Sequence, residues 1–160
     1  MNQAPTTPQP RTVQEIMSTD VQTFSPSTSV REMAATLIEE QITGAPVVDG
    51  GKVVGIVTEA DLVMQKARLH MPHYISLLDS TLFLEDPSVV ESELNKITGT
   101  TAEQLMTTNV VTIRNTATIE DVATLFEEEH VNPVPVLDEN ELLVGVVSRA
   151  DIVSLLARTH

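Results

Sequence analysis

Two short blocks of this sequence combine residue types able to hold an anion or a sugar, and each block occurs twice. The first is Gly, two apolar residues, Thr or Ser, two variable residues, then Asp: Gly55 to Asp61 and Gly145 to Asp151. Thr58 with Asp61, and Ser148 with Asp151, have the spacing of a helix N-cap and an acid in the first turn. Two readings stay open. The pair only caps a helix, or the hydroxyl at the helix start also holds an anion while the Asp takes the two hydroxyls of a ribose. The second block is the irregular stretch Ile42-Thr43-Gly44-Ala45-Pro46 and its match Val131-Asn132-Pro133-Val134-Pro135. It is either a turn punctuated by Gly and Pro, or a length of exposed backbone able to read the edge of a flat base. Pro133 lacks an N–H, so the second copy has one donor fewer.

Other candidates point elsewhere. His70 and His73 stand three apart, but Pro72 between them argues against the helix that would turn both onto one metal, and no metal site is expected. His130 reads as a surface helix end, and Glu127-Glu128-Glu129 and Glu39-Glu40 as solvated faces. Met33, Met64, Met71 and Met106 read as core filler. No Ser-His-Asp pattern, Walker loop or His-Glu-x-x-His motif is present. An enzyme using Asp61 or Asp151 as base needs a neighbouring acid or nucleophile, and the sequence offers none, so no catalysis is expected.

The elements that must position these blocks are repeated too. Thr12 to Met17 matches Thr101 to Met106 at an offset of 89, and Val21 to Phe24 matches Val110 to Ile113. Pro46-Val47-Val48-Asp49 matches Pro135-Val136-Leu137-Asp138, after which the offset becomes 90. Each repeat reads as helix, strand, helix, strand, strand, helix. Capping boxes are predicted at Thr12/Glu15, Ser29/Glu32, Thr101/Gln104 and Thr118/Asp121. Apolar stripes Val30, Met33, Ala34, Leu37, Ile38 and Ile119, Val122, Ala123, Phe126 have helical spacing. Hairpins are predicted to turn at Asp49-Gly50-Gly51 and at Asp138-Glu139-Asn140. The organisation read from this is a disordered tail over 1–11, repeat one over 12–70, a helical insert over 71–100 and repeat two over 101–160. Within the insert, short helices are predicted over Pro72 to Leu78 and from Asp86, the latter with Val90, Leu94 and Ile97 on one face and Gly99 at its end.

Composition narrows the classes. Of 160 residues 41% are apolar, enough for a core, yet aromatics are only 2%. Nine Lys and Arg against 23 Asp and Glu give a net charge of -14, which repels a phosphate backbone and excludes a nucleic-acid binder. Without Cys there are no disulfides or thiolate sites. No apolar run reaches the roughly 18 residues of a membrane helix, so no membrane contact is expected and cytoplasmic residence is the default.

With both repeats aligned, the chain resembles a tandem pair of cystathionine-β-synthase (CBS) domains, a stand-alone Bateman module of bacterial type. The resemblance rests on the Met17 and Met106 openings, the two Pro-Val-Val/Leu-Asp blocks and the two Gly-to-Asp blocks. It implies an α+β fold of two pseudo-twofold-related β-α-β-β-α units, with two clefts between the repeats that bind AMP, ADP or ATP, S-adenosylmethionine or an adenine dinucleotide. By the resemblance, one cleft draws on Val21, Thr43, Gly44, Ala45 and Pro46 for the base and on Ser148, Arg149 and Asp151 for phosphate and ribose. The other draws on Val110, Asn132, Pro133 and Val134, with Thr58 and Asp61. Because Arg149 is matched by Glu59, the Ser148 side is expected to be the better phosphate site, with Mg²⁺ a possible companion of a polyphosphate. The module is expected to regulate an unknown partner protein. The alternative is a structural dimerisation module with empty clefts. A homodimer is expected, with Leu62, Val63, Ile152, Val153 and Leu156 as anchors, and with Leu94 and Ile97 either adding to the same contact or capping the edge of the module.

Overall fold

The computed structural model describes residues 12–67, 74–77, 80–83 and 100–158. The chain divides into two compact units: a continuous one, Gln22–Val110, and a split one made of the chain up to Val21 and from Val111 onward. The repeat boundaries in the sequence are therefore offset from the unit boundaries. The opening segment of each repeat, which we call an arm, belongs to the unit built mainly from the other repeat.

In the continuous unit the elements are α1 (Val30–Glu39), β1 (Gly44–Asp49), β2 (Lys52–Thr58), α2 (Glu59–Ala67), β3 (Tyr74–Leu77), β4 (Ser80–Phe83) and the one-turn helix α3 (Ala102–Leu105). The split unit has a 3-10 turn at Val13–Glu15, then β5 (Ile113–Arg114), α4 (Ile119–Glu128), β6 (Val134–Leu137), β7 (Leu143–Val147) and α5 (Arg149–Arg158). All four capping boxes form. Ser29 N–H donates to Glu32 Oε2 at 3.2 Å, and Glu32 N–H returns a bond to Ser29 Oγ at 3.3 Å. At α4 the Thr118 N–H, and after it the Thr118 hydroxyl, hold the Asp121 carboxyl below the usual aspartate range. Helices α1 and α4 end in left-handed residues, Gln41 and His130. After α1, Ile42 N–H reaches back to Leu37 C=O at 3.0 Å and Gln41 N–H to Ile38 C=O at 3.3 Å, closing a Schellman turn.

The hairpins turn as the residues dictate. Asp49 pairs with Lys52, leaving Gly50 and Gly51 at φ 56° and 81°, a two-residue turn open to glycine. The second hairpin is longer: Asp138 Oδ1 accepts from Asn140 and Leu142 N–H, and Glu141 takes the left-handed position at φ 63°. Arg114 donates to the Asp138 carbonyl and pairs with Glu141 at 3.5 Å. The first strand expected in each repeat is brief. It is β5 in the split unit, parallel to β6, and a single parallel bridge from Phe24 to Val47 in the continuous one.

Each arm closes the far edge of its hairpin. Ile56 exchanges both main-chain bonds with Thr107, at 3.1 and 3.0 Å, and Val146 does so with Ser18, at 2.9 and 3.0 Å. This explains how Pro46 and Pro135 stand inside middle strands: their cross-strand partners Ile56 and Val146 already spend N–H and C=O on the arm, so no ladder bond is lost. A second clip ties each arm to the start of a helix, Val30 N–H to Thr100 C=O at 2.9 Å and Val13 N–H to Ala117 C=O at 2.8 Å. Between the clips a methionine lies on a strand glycine. A Cβ at Gly145 would sit 2.5 Å from Met17 Sδ and 3.0 Å from the Ser18 carbonyl oxygen, and one at Gly55 would meet the Met106 side chain, Cγ at 2.6 Å.

The cores share equivalent positions. Phe24, Met33, Leu37, Ala45, Val47, Val57 and Ala102 are buried in one unit; Val13, Val122, Phe126, Val134, Val136 and Val147 in the other, where Ile113, the counterpart of Phe24, is only partly buried. The apolar stripes are narrower than expected. Ile38 is 77% exposed and Ala123 is exposed, because α1 and α4 bury only the i, i+4 pair at their centres. Met33 fills core as expected, whereas Met64 is 60% exposed; Met71 lies outside the described residues. The insert also differs. Where a helix is predicted over Pro72 to Leu78, Tyr74–Leu77 is a strand paired antiparallel with Ser80–Phe83, in keeping with the β-favouring Tyr74, Ile75, Thr81 and Phe83. The helix expected from Asp86 lies outside the described residues, as does the 1–11 tail. Among the described residues no helix is long and apolar enough to cross a membrane.

Because Ala102, Leu105 and Met106 complete the core around Val47 and Val57, a fragment spanning residues 22–110 should fold alone. A fragment spanning 12–67, one whole sequence repeat, should not. Urea unfolding followed by circular dichroism checks this: a cooperative transition is expected for the first and none for the second. Gly145→Ala should destabilise the full chain by about 1–3 kcal/mol through overpacking, and Met17→Ala in the same chain should make that substitution cost less. Thermal melts of the two single variants and the double variant measure the coupling.

Candidate functional site

In the continuous unit β1 begins beside the end of β2, with Gly44 opposite Thr58. The chain passes from β2 into α2 without a loop, and Glu59 N–H donates to the Thr43 carbonyl at 2.9 Å. Thr58 sends both its N–H and its hydroxyl to one oxygen, Asp61 Oδ2, each at 2.8 Å. The hydroxyl is thus a donor here, and the carboxylate does the capping. Oδ2 holds the helix start, and among the described residues no donor reaches Oδ1. Thr58 and Asp61 are half-buried, Thr43 is exposed, and Gly44, Ala45 and Pro46 are buried.

The split unit repeats the plan with different partners. Ser148 N–H and hydroxyl meet Asp151 Oδ2 at 2.7 and 2.8 Å, again leaving Oδ1 without a described donor. The N–H that follows, of Arg149, goes not to a main-chain carbonyl but to Asn132 Oδ1 at 3.0 Å. The Arg149 guanidinium turns back along the unit, donating through Nη2 to the Phe126 carbonyl at 3.2 Å and lying 5.9 Å from the centre of the Phe126 ring. Asn132 is half-buried, Pro133 and Val134 are buried, and the Asn132–Pro133 bond is cis.

The structure therefore brings Thr43, Gly44, Thr58 and Asp61 together in one unit, and Asn132, Ser148, Arg149 and Asp151 together in the other. Val21 and Val110, both half-buried, stand where the chain crosses between units. Sequence reading missed Phe126 as the destination of Arg149 and Asn132 as an acceptor for main chain. A comparison of the repeats carries the signal: Phe126 with Arg149 in one copy is Leu37 with Glu59 in the other. His70 and His73 lie outside the described residues, and among those described no group of three His, Cys, Asp or Glu gathers to hold a metal.

Comparison with known proteins supplies the lineage. The family model for the CBS domain matches residues 13–67 and 102–158. Two chloroplastic CBS domain-containing proteins of Arabidopsis thaliana, CBSX2 and CBSX1, are each 30% identical over 80% and 89% of this chain. The chain spans 55% and 62% of their lengths. The crystal structure of CBSX2 in complex with AMP superposes with a TM-score of 0.69 at 25% identity, covering 92% of this chain and 96% of that one. The CBS domain pair of protein MJ0100, solved with 5′-methylthioadenosine and S-adenosyl-L-methionine, gives a TM-score of 0.70 at 26% identity over 94% of this chain and 99% of that one. With the glycine-to-aspartate blocks, the hairpins and the arms of both units matched, this chain is an α+β tandem pair belonging to the CBS domain family.

Proposed function

We propose that the chain is a regulatory module that binds an adenosine ligand, AMP, ADP or ATP, and passes a change of shape to a partner protein. The observation that carries this is the division of labour within Asp61 and Asp151. One carboxylate oxygen is spent on a helix start and the other is without a described donor, beside an irregular stretch that ends in a buried Pro. A carboxylate oxygen so held accepts the hydroxyls of a ribose, and the Thr43–Ala45 and Asn132–Val134 stretches offer main-chain groups to a flat base. The relatives support the ligand class: AMP, 5′-methylthioadenosine and S-adenosylmethionine share adenosine and little else. Val21, Val110 and Pro46 complete the proposed set. A polyphosphate would bring its charge to a chain already at -14, and Mg²⁺ would offset it. The hydroxyl beside each Asp, of Thr58 and of Ser148, is spent on the carboxylate that caps the helix, and the proposed role is binding without turnover.

A thermal-shift screen with adenosine, AMP, ADP, ATP and S-adenosylmethionine, with and without Mg²⁺, tests the reading. A ligand at about 100 times its dissociation constant stabilises the fold by roughly 2.7 kcal/mol, a rise of several degrees. No shift with any of them would leave the alternative, a structural module with empty sites.

Homodimerisation is part of the proposal. Leu62 and Ile152 are half-buried against the cores of their own units. Val63, Val153 and Leu156 are 66%, 64% and 67% exposed on α2 and α5, and Met64 joins them. Leu94 and Ile97 lie outside the described residues. Sedimentation at micromolar protein should give twice the 17.4 kDa chain mass, with the dimer persisting as salt rises, since salt screens charge repulsion and spares apolar contact. Val153→Asp should return the monomer.

A further inference from the structure

We infer that Asn132 and Arg149 are positioning residues. Together they latch the stretch after α4 to the first turn of α5, and Arg149 does not hold ligand phosphate. The inference rests on the adenosine-ligand reading for its binding consequences, but the latch itself is a feature of the ligand-free fold.

The two units make the case by comparison. At each helix start one N–H must find an acceptor on the neighbouring stretch. In the continuous unit Glu59 N–H finds the Thr43 carbonyl, so main chain alone holds the stretch in place. In the split unit the same donor, Arg149 N–H, finds the Asn132 side chain. The position of that stretch therefore depends on a side chain that mutation can remove.

The guanidinium adds a second tie. It bonds the Phe126 carbonyl, one of the last four of α4, where a cation also complements the negative end of the helix. Its place over the buried Phe126 ring holds the charge by the ring's negative face. Neither contact is available to the matching pair. Leu37 has no ring, and Glu59 would set a negative charge against helix carbonyls. The repeat that carries Arg149 carries Phe126, and the one that carries Glu59 carries Leu37. The guanidinium is turned by one hydrogen bond toward this carbonyl and ring, while the Ser148 hydroxyl and Asp151 stay at the helix start.

Calorimetric titration of the full chain with adenosine, AMP and ATP decides. Arg149→Gln should weaken all three by a common factor of about three to ten, the loss of a hydrogen bond's worth of positioning, so that the AMP-to-adenosine affinity ratio is unchanged. It should move the same binding step as Asn132→Ala. Asn132→Asp, which keeps an acceptor for the Arg149 N–H, should restore adenosine binding to within about twofold of wild type; adenosine has no phosphate for the new charge to repel. Selective loss of AMP and ATP in Arg149→Gln, with adenosine unaffected, would make Arg149 a phosphate ligand and overturn the inference. If wild-type protein binds none of the three, the function proposed above fails, and the latch is then decided without ligand. Melts of Arg149→Gln, Asn132→Ala and the double variant should show coupling, and simple additivity would overturn the latch.

Discussion

A strand glycine with a methionine lying where its side chain would be sets the terms for each unit. Gly55 under Met106 and Gly145 under Met17 let the arm approach the hairpin closely enough to exchange main-chain bonds with Ile56 and Val146. Once those bonds exist, the hairpin has no open outer edge at its centre, prolines are tolerated in its inner strand, and its end is fixed beside the helix start. The capped Thr58–Asp61 and Ser148–Asp151 turns follow that docking in the chain, since they begin at the end of β2 and directly after β7, the strands the arms hold. The two Gly-to-Asp blocks are thus packing motifs at one end and helix caps at the other.

Much of this is legible in the residues, and what is not has a physical reason. Capping boxes and hairpin turns depend on residues three or four apart, so Ser29 with Glu32 and Asp49-Gly50-Gly51 announce themselves. The glycine and methionine were both visible as repeated signals, yet nothing local says that they touch, because Gly145 and Met17 are far apart in the chain. Nor does a repeat say which partner its opening segment will choose; the arms cross because the matching cores accept Val13 and Ala102 at equivalent places. The Arg149 side chain was read from its neighbours in sequence, Ser148 and Asp151, while its destination was set by Phe126 on another helix. The spacing marks Asp61 and Asp151 as acids near a cap, whereas which oxygen meets the helix start is set by the turn of the carboxylate in the folded chain.

The two units also show how a duplicated fold keeps its frame and loses its symmetry. The core keeps equivalent apolar positions, whereas the hairpins differ, one closing on two glycines and the other on Asp138 with a left-handed Glu141. Divergence reaches the stretches before Pro46 and Pro135 as well, one held by main chain and the other by Asn132. Substitution is constrained wherever an arm must dock and is permitted where a side chain can replace a carbonyl.

The crossing of the arms has a consequence for synthesis on the ribosome. The first arm emerges early and has no partner until Val111 and the residues after it have followed. At roughly 5–20 residues per second that delay is on the order of 5–20 seconds. During it the continuous unit can complete itself, since its own arm is the last part of it to be made. The nascent chain thus has a fixed order of assembly: the continuous unit closes first, and the split one is completed when its second segment joins its arm.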